Sequence, residues 1–224
     1  MRSCAWCKGP IREDARVDAV TCSKRCRQAR ARFIAAVAAG PRDTSAPLRL
    51  AYADPPYPGL SRRYYGEHPD YAGEVDHAEL ITRLSADYDG WALSTSAIAL
   101  PRILALCPDD VRVAVWIRGD RGGRALGPLN AWEPVIYWRG RLDPDLSRVD
   151  DLRHLPKRPR TDVLEHRPRP RTTDPQNVIG AKPAVFARWI FDLLGARPQD
   201  AFTDLYPGSG GISRAWQIYA GGPQ

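Results

Sequence analysis

The chain has 224 residues, 43% of them hydrophobic, and a formal net charge of +7. This length and composition can bury a full globular core. No apolar run is long enough to span a bilayer and no hydrophobic signal core stands at the N-terminus, which predicts a cytoplasmic protein and no membrane partner. The basic charge favours a polyanionic partner and nucleoid association, although an Arg-rich composition also follows from GC-rich coding.

Four cysteines near the N-terminus form a C-x2-C pair, Cys4 and Cys7, and a C-x3-C pair, Cys22 and Cys26. Two such pairs of thiolates suit tetrahedral zinc, and the polar segment between them is too short to bury a core without a metal. The alternative is a pair of disulfides, which would require a secreted protein. The module, residues 1–40, resembles a zinc knuckle or treble-clef finger, which implies a structural zinc and a helix opened by the second pair.

Ser23 is a good N-cap for that helix, whose first turns carry a run of cations that includes Lys24 and Arg27. Cations at a helix start oppose the macrodipole, so local stability does not explain them. A phosphate partner explains them, and Lys24 and Arg27 are therefore predicted to bind nucleic acid. A solvated charged face is the equal alternative. Residues 40–47 have the composition of a linker to a second domain, 46–224.

An apolar run over 48–53 predicts a buried strand, and Asp54-Pro55-Pro56-Tyr57 follows it directly. An amino nitrogen on an aromatic base is a poor nucleophile because its lone pair is delocalised into the ring. An enzyme that methylates it must hold its N–H bonds with acceptors, and the Asp54 carboxylate and the Pro55 carbonyl can be those acceptors in a turn that Pro56 helps to stiffen. Tyr57 would stack on the base, which contributes about 1–3 kcal/mol. The alternative is an ordinary proline turn after a strand.

Further along, apolar segments at 91–95, 111–117 and 134–138 alternate with helical patterns at 76–88, 97–107 and 183–195. Such alternation predicts an α/β domain with a largely parallel sheet. Cys107, in the second helical pattern, is predicted to be a buried thiol.

Two segments combine Arg and Lys with Tyr or Pro residues, a composition that could contact nucleic acid. The first directly follows the Asp-Pro-Pro-Tyr motif, where a flipped base and its phosphates would lie. The second, 140–180, is rich in Pro and Arg, cannot build a core of its own, and is either functional or a disordered linker. The candidate nucleic-acid-binding residues in these segments are Arg62, Arg63, Tyr64, Lys157, Arg158, Arg160, Arg167, Arg169 and Arg171.

A strand at 200–203 leads into a glycine turn and then a helix. Glycines let the backbone approach a ligand closely, and the helix N-terminus offers free N–H groups to a carboxylate. A turn that needs glycine only for its geometry is the alternative. The candidate cofactor-binding residues of the turn are Asp204, Tyr206, Gly208, Ser209 and Gly210.

Taken together, the Asp-Pro-Pro-Tyr motif and the glycine turn resemble those of S-adenosylmethionine-dependent methyltransferases that modify exocyclic amino groups, above all N6 of adenine. The catalytic motif precedes the cofactor motif, as in the circularly permuted β-class amino-methyltransferases and the MT-A70 type. The resemblance covers about residues 46–219. It implies a Rossmann-like fold, S-adenosylmethionine as cofactor, and a cofactor contact from Asp54. Lys182-Pro183 matches a Lys-Pro pair of these enzymes, which implies that Lys182 binds the cofactor carboxylate; a helix start with Pro183 in its first turn is the alternative.

The resemblance implies methylation of adenine N6 in DNA, with 140–180 as a target-recognition insert. After Gly210 the chain has room for one helix, so we expect the strand that usually supplies an acidic residue for the ribose to be missing. Either another side chain holds the ribose, or cofactor binding is weak or lost. The alternatives are an RNA adenosine methyltransferase, a cytosine-N4 methyltransferase, in which Ser more often stands at the position of Asp54, and a catalytically dead zinc-finger protein that binds nucleic acid.

Overall fold

The computed structural model describes residues 2–5, 7–28, 30–31, 46–59, 73–119, 126–141, 160–167 and 181–222. In chain order the elements of the larger domain are β1 (Arg49–Ala53), α1 (His77–Asp87), β2 (Gly90–Ser94), α2 (Leu100–Leu104), β3 (Arg112–Ile117), β4 (Trp132–Arg139), β5 (Val163–Glu165), α3 (Ala184–Leu193), β6 (Ala201–Asp204) and α4 (Gly211–Tyr219). The N-terminal module contains a helix that begins at Lys24 and whose described part reaches residue 31, the finger helix.

The six strands form one sheet in the order β5-β3-β4-β2-β1-β6. β1 pairs in parallel with β2 and β6, and β3 pairs in parallel with β5. β4 runs antiparallel to both of its neighbours, β2 and β3. The α/β class is confirmed, and so is the largely parallel sheet, since five of these six strands run in one direction and only β4 runs in the other. The described residues between β3 and β4 contain no helix, and antiparallel neighbours need no helical crossover.

Helices cover both faces of the sheet. Along β1 the side chains alternate, so that Leu50 and Tyr52 enter one core and Ala51 and Ala53 enter the other. The first core is closed by Phe186 and other apolar residues of α3 and by α4, and the second by α1 and α2. Because both faces of the sheet are buried at β1 and β2, their sequences are nearly continuous apolar runs.

The second predicted helix is shorter than its sequence pattern. The pattern covers 97–107, whereas α2 has only five residues and is flanked by turns. Pro101 stands at its first turn, a position that starts a helix but cannot continue one. The prediction for Cys107 is confirmed, since it is buried and its thiol donates to the Ile103 carbonyl at 3.3 Å. Burial raises the pKa of this thiol to about 12.

Part of the 140–180 segment has regular structure, which corrects the expectation drawn from its composition. Residues 163–165 form β5 at the edge of the sheet beside β3. The Trp116 indole donates to the His166 carbonyl at 2.9 Å, and the Trp189 indole donates to the Thr161 carbonyl at 2.8 Å. An edge strand needs no core of its own, so the composition of the whole segment does not reveal it.

Among the helices of the described residues, none combines the length and the apolar character that crossing a membrane would require.

Candidate active site and metal centre

The two predicted motifs meet at one edge of the sheet. Asp54 directly follows β1 and Leu205 directly follows β6. The register pairs Tyr52 with Asp204, and the Leu205 N–H donates to the Tyr52 carbonyl at 2.9 Å. Parallel strands present their carboxyl ends at the same edge, which is where ligands bind in open α/β sheets. This edge, where β1, β2 and β6 end, is called the motif edge.

Behind Asp54 lies a group of four charged side chains, the charge cluster of Asp54, Lys182, Glu133 and Arg118. The Lys182 ammonium lies 3.3 Å from Asp54 Oδ2 and contacts Glu133 Oε1 directly. The second oxygen of Glu133 lies 3.6 Å from the Arg118 guanidinium. The side chains of Lys182 and Glu133 are 7% and 5% exposed. Because charges of this kind are costly to bury unless paired, each member depends on its neighbours.

The charge cluster sets the protonation of Asp54. Burial raises the pKa of Asp54 to about 6; the charges of Glu133 and Asp204 act in the same direction, and Lys182 opposes them. Burial lowers the pKa of Lys182, but the charges of Asp54 and Glu133 outweigh burial and leave it raised. At neutral pH Lys182 is therefore a cation and Asp54 is mostly a carboxylate. Below about pH 6 Asp54 loses its full capacity as an acceptor.

Glu133 was not among the sequence candidates. It comes from β4, opposite Trp116 of β3, and its side chain points towards Lys182 rather than solvent. A carboxylate inside an otherwise apolar strand, in Glu133-Pro134-Val135-Ile136, is the signal that could have found it. Its partner stands 49 residues away in the chain, a distance that no local pattern reveals.

Two tyrosines lie near the charge cluster. Burial raises the pKa of Tyr57 well above its usual range, as do the charges of Asp54 and Glu133 and a hydrogen bond with Glu133. The Tyr52 hydroxyl is buried and lies 2.8 Å from the Ser94 hydroxyl. The Tyr57 hydroxyl therefore lies beside Glu133. Its role as a stacking platform stays a prediction.

The glycine turn has the strand, turn and helix order that its sequence predicts. Gly208 and Gly210 have φ angles of +47° and +73°, and Gly210 is the left-handed N-cap of α4. Residues with a side chain rarely adopt this backbone conformation. A Cβ at Gly211 would lie 3.4 Å from the Lys182 carbonyl oxygen, so the start of α4 adjoins the backbone of Lys182.

Asp204, at the head of the turn, carries an unused acceptor. Its Oδ2 accepts from the Ser213 hydroxyl at 3.1 Å. Its Oδ1 is buried and has no hydrogen-bond partner in the described part of the chain. Burial raises the pKa of Asp204, against hydrogen bonds from Ser213 and Tyr206. A buried carboxylate oxygen without a donor is costly, and a ligand that brings a donor would satisfy it.

The four N-terminal cysteines are brought together as predicted. Their sulfurs all lie within 4.8 Å of one another, and none of the four is in a disulfide. A tetrahedral zinc bound at about 2.3 Å separates its sulfur ligands by about 3.8 Å. The Cys7–Cys22 and Cys22–Cys26 distances are both 3.5 Å. The donor set and its spacing therefore fit a structural zinc ion.

The finger helix begins as predicted, because the Ser23 hydroxyl accepts from the Cys26 N–H at 3.1 Å. The helix also contacts the larger domain. The Arg25 guanidinium lies 3.1 Å from Asp76, the N-cap of α1, and contacts Glu79 as well. These pairs are exposed and contribute little to stability, and they mark where the finger helix approaches the start of α1.

The remaining nucleic-acid candidates fall into two groups. Arg160 donates to the carbonyls of Arg141 at 2.6 Å and Asp192 at 3.3 Å, which ties β5 to the domain, while Arg167 is exposed beside Gly119. Their nucleic-acid contacts stay predictions. The others lie outside the described residues: Arg62, Arg63, Tyr64, Lys157, Arg158, Arg169 and Arg171.

No protein-family model matches the chain, and no curated protein matches it. Among solved structures, the chain is similar to the crystal structure of the M1.HpyAVI–SAM complex. The two are 11% identical, with a TM-score of 0.48, and the match covers 86% of this chain and 85% of that one.

Proposed function

We propose that the chain is an S-adenosylmethionine-dependent DNA methyltransferase that modifies N6 of adenine, with the zinc in a structural role. One observation carries the proposal. Asp54 stands at the motif edge as a half-buried carboxylate in a balanced charge cluster, next to a glycine turn whose Asp204 has an unsatisfied oxygen. An acceptor for a weakly nucleophilic amino group and a cradle for a polar ligand therefore lie side by side.

The permuted motif order is part of the proposal. The strand that carries the Asp-Pro-Pro-Tyr motif comes first in the chain and the strand of the glycine turn comes last, yet β1 and β6 are direct neighbours. A sheet with this order brings late and early parts of the chain to one ligand site, which supports a Rossmann-like methyltransferase domain of permuted layout.

Asp204, the glycine turn and Lys182 would hold the cofactor. The free Oδ1 of Asp204 suits an ammonium group, and the N–H groups at the start of α4 suit a carboxylate. Lys182 also suits a carboxylate, as the resemblance implies. When bound, S-adenosylmethionine supplies a methyl group activated by its sulfonium.

Asp54 and Pro55 would hold the acceptor amino group. Each would accept one N–H, which favours a pyramidal nitrogen with an available lone pair. Methylation would make this nitrogen acidic, and the Asp54 carboxylate that holds its N–H would be placed to take the released proton. A carboxyl with a pKa of about 6 accepts a proton near neutrality more readily than an ordinary aspartate.

Glu133 and Lys182 act on this step through Asp54. The Lys182 ammonium fixes the orientation of the Asp54 carboxylate by contacting its Oδ2, which leaves Oδ1 for the substrate. Glu133 in turn holds the Lys182 ammonium in an ion pair and accepts a hydrogen bond from the Tyr57 hydroxyl. Glu133 is therefore a positioning residue, whereas Lys182 both positions Asp54 and, in this proposal, contacts the cofactor.

Mass spectrometry of nucleosides tests the reaction and the substrate together. Unmodified DNA and RNA would be incubated separately with the purified chain and S-adenosylmethionine that carries an isotopically labelled methyl group. Labelled N6-methyladenine in DNA is the expected result. Labelled N6-methyladenosine in RNA would instead indicate an RNA adenosine methyltransferase. Labelled N4-methylcytosine would indicate that cytosine is the target base. No label in either polymer, with no cofactor binding by calorimetry, would leave a nucleic-acid-binding protein.

A further inference from the structure

A groove opens on the N-terminal module beside the metal site. It has a volume of about 750 Å³ and lies between the finger helix and the loop that joins the two cysteine pairs. Its charged lining residues are Arg16, Lys24, Arg27, Arg30 and Asp18. We call it the finger groove.

The finger groove is strongly cationic. It holds four cationic side chains against the single carboxylate of Asp18. Within the described part of the chain, no acidic group pairs with any of the four, whereas Arg12 and Arg25 of the same module do have carboxylate partners. Cations that converge on a concave surface without counter-charges raise the local potential and attract polyanions.

The lining also limits the kind of polyanion. No aromatic side chain is among the described residues that line the finger groove, so these residues offer no platform on which bases could stack. Lys and Arg side chains contact phosphates without reading the sequence. A concave surface suits a strand of linked phosphates better than the flat surface of a bilayer. The chemistry therefore points to a sugar-phosphate backbone.

The position of the finger groove relative to the active site comes from the topology. Because β1 and β2 are parallel, α1 must return the chain to the starting edge of β2, so α1 begins at the motif edge. The Gly59 N–H donates to Glu74 at 3.3 Å, which ties the motif loop to the start of α1. Arg25 then docks the finger helix on Asp76 at that same end.

We propose that the finger groove binds the phosphodiester backbone of the nucleic acid whose base enters the site at the motif edge. This inference rests on the proposed function, because it assigns the finger groove to the same substrate. It extends the sequence prediction for Lys24 and Arg27 to a defined surface with Arg16 and Arg30. The expected binding is independent of base sequence and sensitive to salt.

The test uses the full chain and the double variant Lys24→Gln/Arg27→Gln. The matched control, Arg12→Gln/Arg83→Gln, removes the same charge from exposed residues that already pair with carboxylates outside the finger groove. Binding of a short fluorescent DNA duplex would be followed by anisotropy over a series of salt concentrations. Zinc content and thermal melting should match the wild type for both variants.

Each lost phosphate contact lowers the slope of log affinity against log salt by about 0.9. We therefore expect the finger-groove variant to lose about 1.8 from the slope and to bind about 30-fold more weakly at about 0.15 M salt, and the control to change little. Equal effects in the two double variants would overturn the proposal. So would a finger-groove variant that binds DNA normally but no longer binds vesicles of anionic phospholipid.

The outcome is separable from that of the proposed function. Methyl transfer to DNA with no effect of the finger-groove substitutions would remove this inference alone. Binding that depends on the finger groove, in a protein that transfers no methyl group, would keep the finger groove and remove the methyltransferase.

Discussion

Substitutions of Glu133 and Lys182 in the charge cluster should shift the pKa of Asp54 in opposite directions. Glu133→Gln removes a negative charge that raises the pKa of Asp54, so the acid limb of the pH–rate profile should move to lower pH. Lys182→Met removes the positive charge that opposes burial, so the same limb should move to higher pH. A merely structural role for either residue would lower activity without moving the limb in a defined direction.

The size of the first shift follows from the geometry. One ammonium contacts both carboxylates, 3.3 Å from Asp54 and in direct contact with Glu133. Two carboxylates bridged in this way carry charges about 6 Å apart, which interact by about 3 kcal/mol at an effective dielectric constant of about 20. Since about 1.4 kcal/mol corresponds to one pH unit, the limb should move from about pH 6 to about pH 4 in Glu133→Gln.

The assay is kcat/KM for methyl transfer to DNA as a function of pH, because this ratio reports the ionisation of the free enzyme. Glu165→Gln, an exposed carboxylate on β5, is the control and should leave the profile unchanged. Lys182→Met removes the cation between Asp54 and Glu133 and leaves Glu133 with Arg118 as its ion-pair partner, so the variant should lose about 3–5 kcal/mol of stability. If Lys182→Met does not fold, the shift of the acid limb in Glu133→Gln still tests the prediction. Limbs that stay near pH 6 in both variants, or move in the same direction, would refute the reasoning.

Three further predictions concern stability and the metal. The pKa of Asp54 rises from 3.8 to about 6 on folding, so the folded state loses stability as pH rises through this window. Asp54→Asn should therefore be more stable than the wild type at pH 7.5, by up to about 3 kcal/mol, but not at pH 4. Urea unfolding at the two pH values measures the difference. Asp200 accepts hydrogen bonds from Arg141 and from two backbone N–H groups, which outweigh burial and lower its pKa. Asp200→Asn should lower the free energy of unfolding by about 3–5 kcal/mol at neutral pH. The difference in stability between wild type and variant should shrink as pH falls through the lowered pKa. Cys22→Ser should abolish zinc binding in metal analysis and the ordered finger helix in circular dichroism, while the cooperative unfolding of the larger domain persists.

Local patterns in the sequence were sufficient to predict most of the site. The strand before Asp54, the glycines of the turn, the N-cap at Ser23 and the cysteine pairs each depend on a few neighbouring residues. Their meeting at one edge follows from the rule that parallel strands end together. The sequence could therefore predict which residues are brought together, although not the contacts they make.

The features that sequence reasoning missed depend on long-range pairing. Glu133 reaches Lys182 only because β4 is antiparallel between β2 and β3, a register set by strands distant in the chain. β5 is three residues long and is stabilised by β3, so its own composition carries almost no signal. The finger groove is formed by a loop and a helix that the cysteine cluster brings together.

The most direct test of the central claim, that Asp54 holds the amino group that receives the methyl, is transfer of labelled methyl to DNA by Asp54→Ala beside the wild-type chain. Nucleic-acid affinity would be measured on the same preparations. The account predicts transfer by the wild type, a fall of at least about a hundredfold in the variant, and nearly unchanged DNA binding. Transfer by Asp54→Ala at the wild-type rate would contradict it.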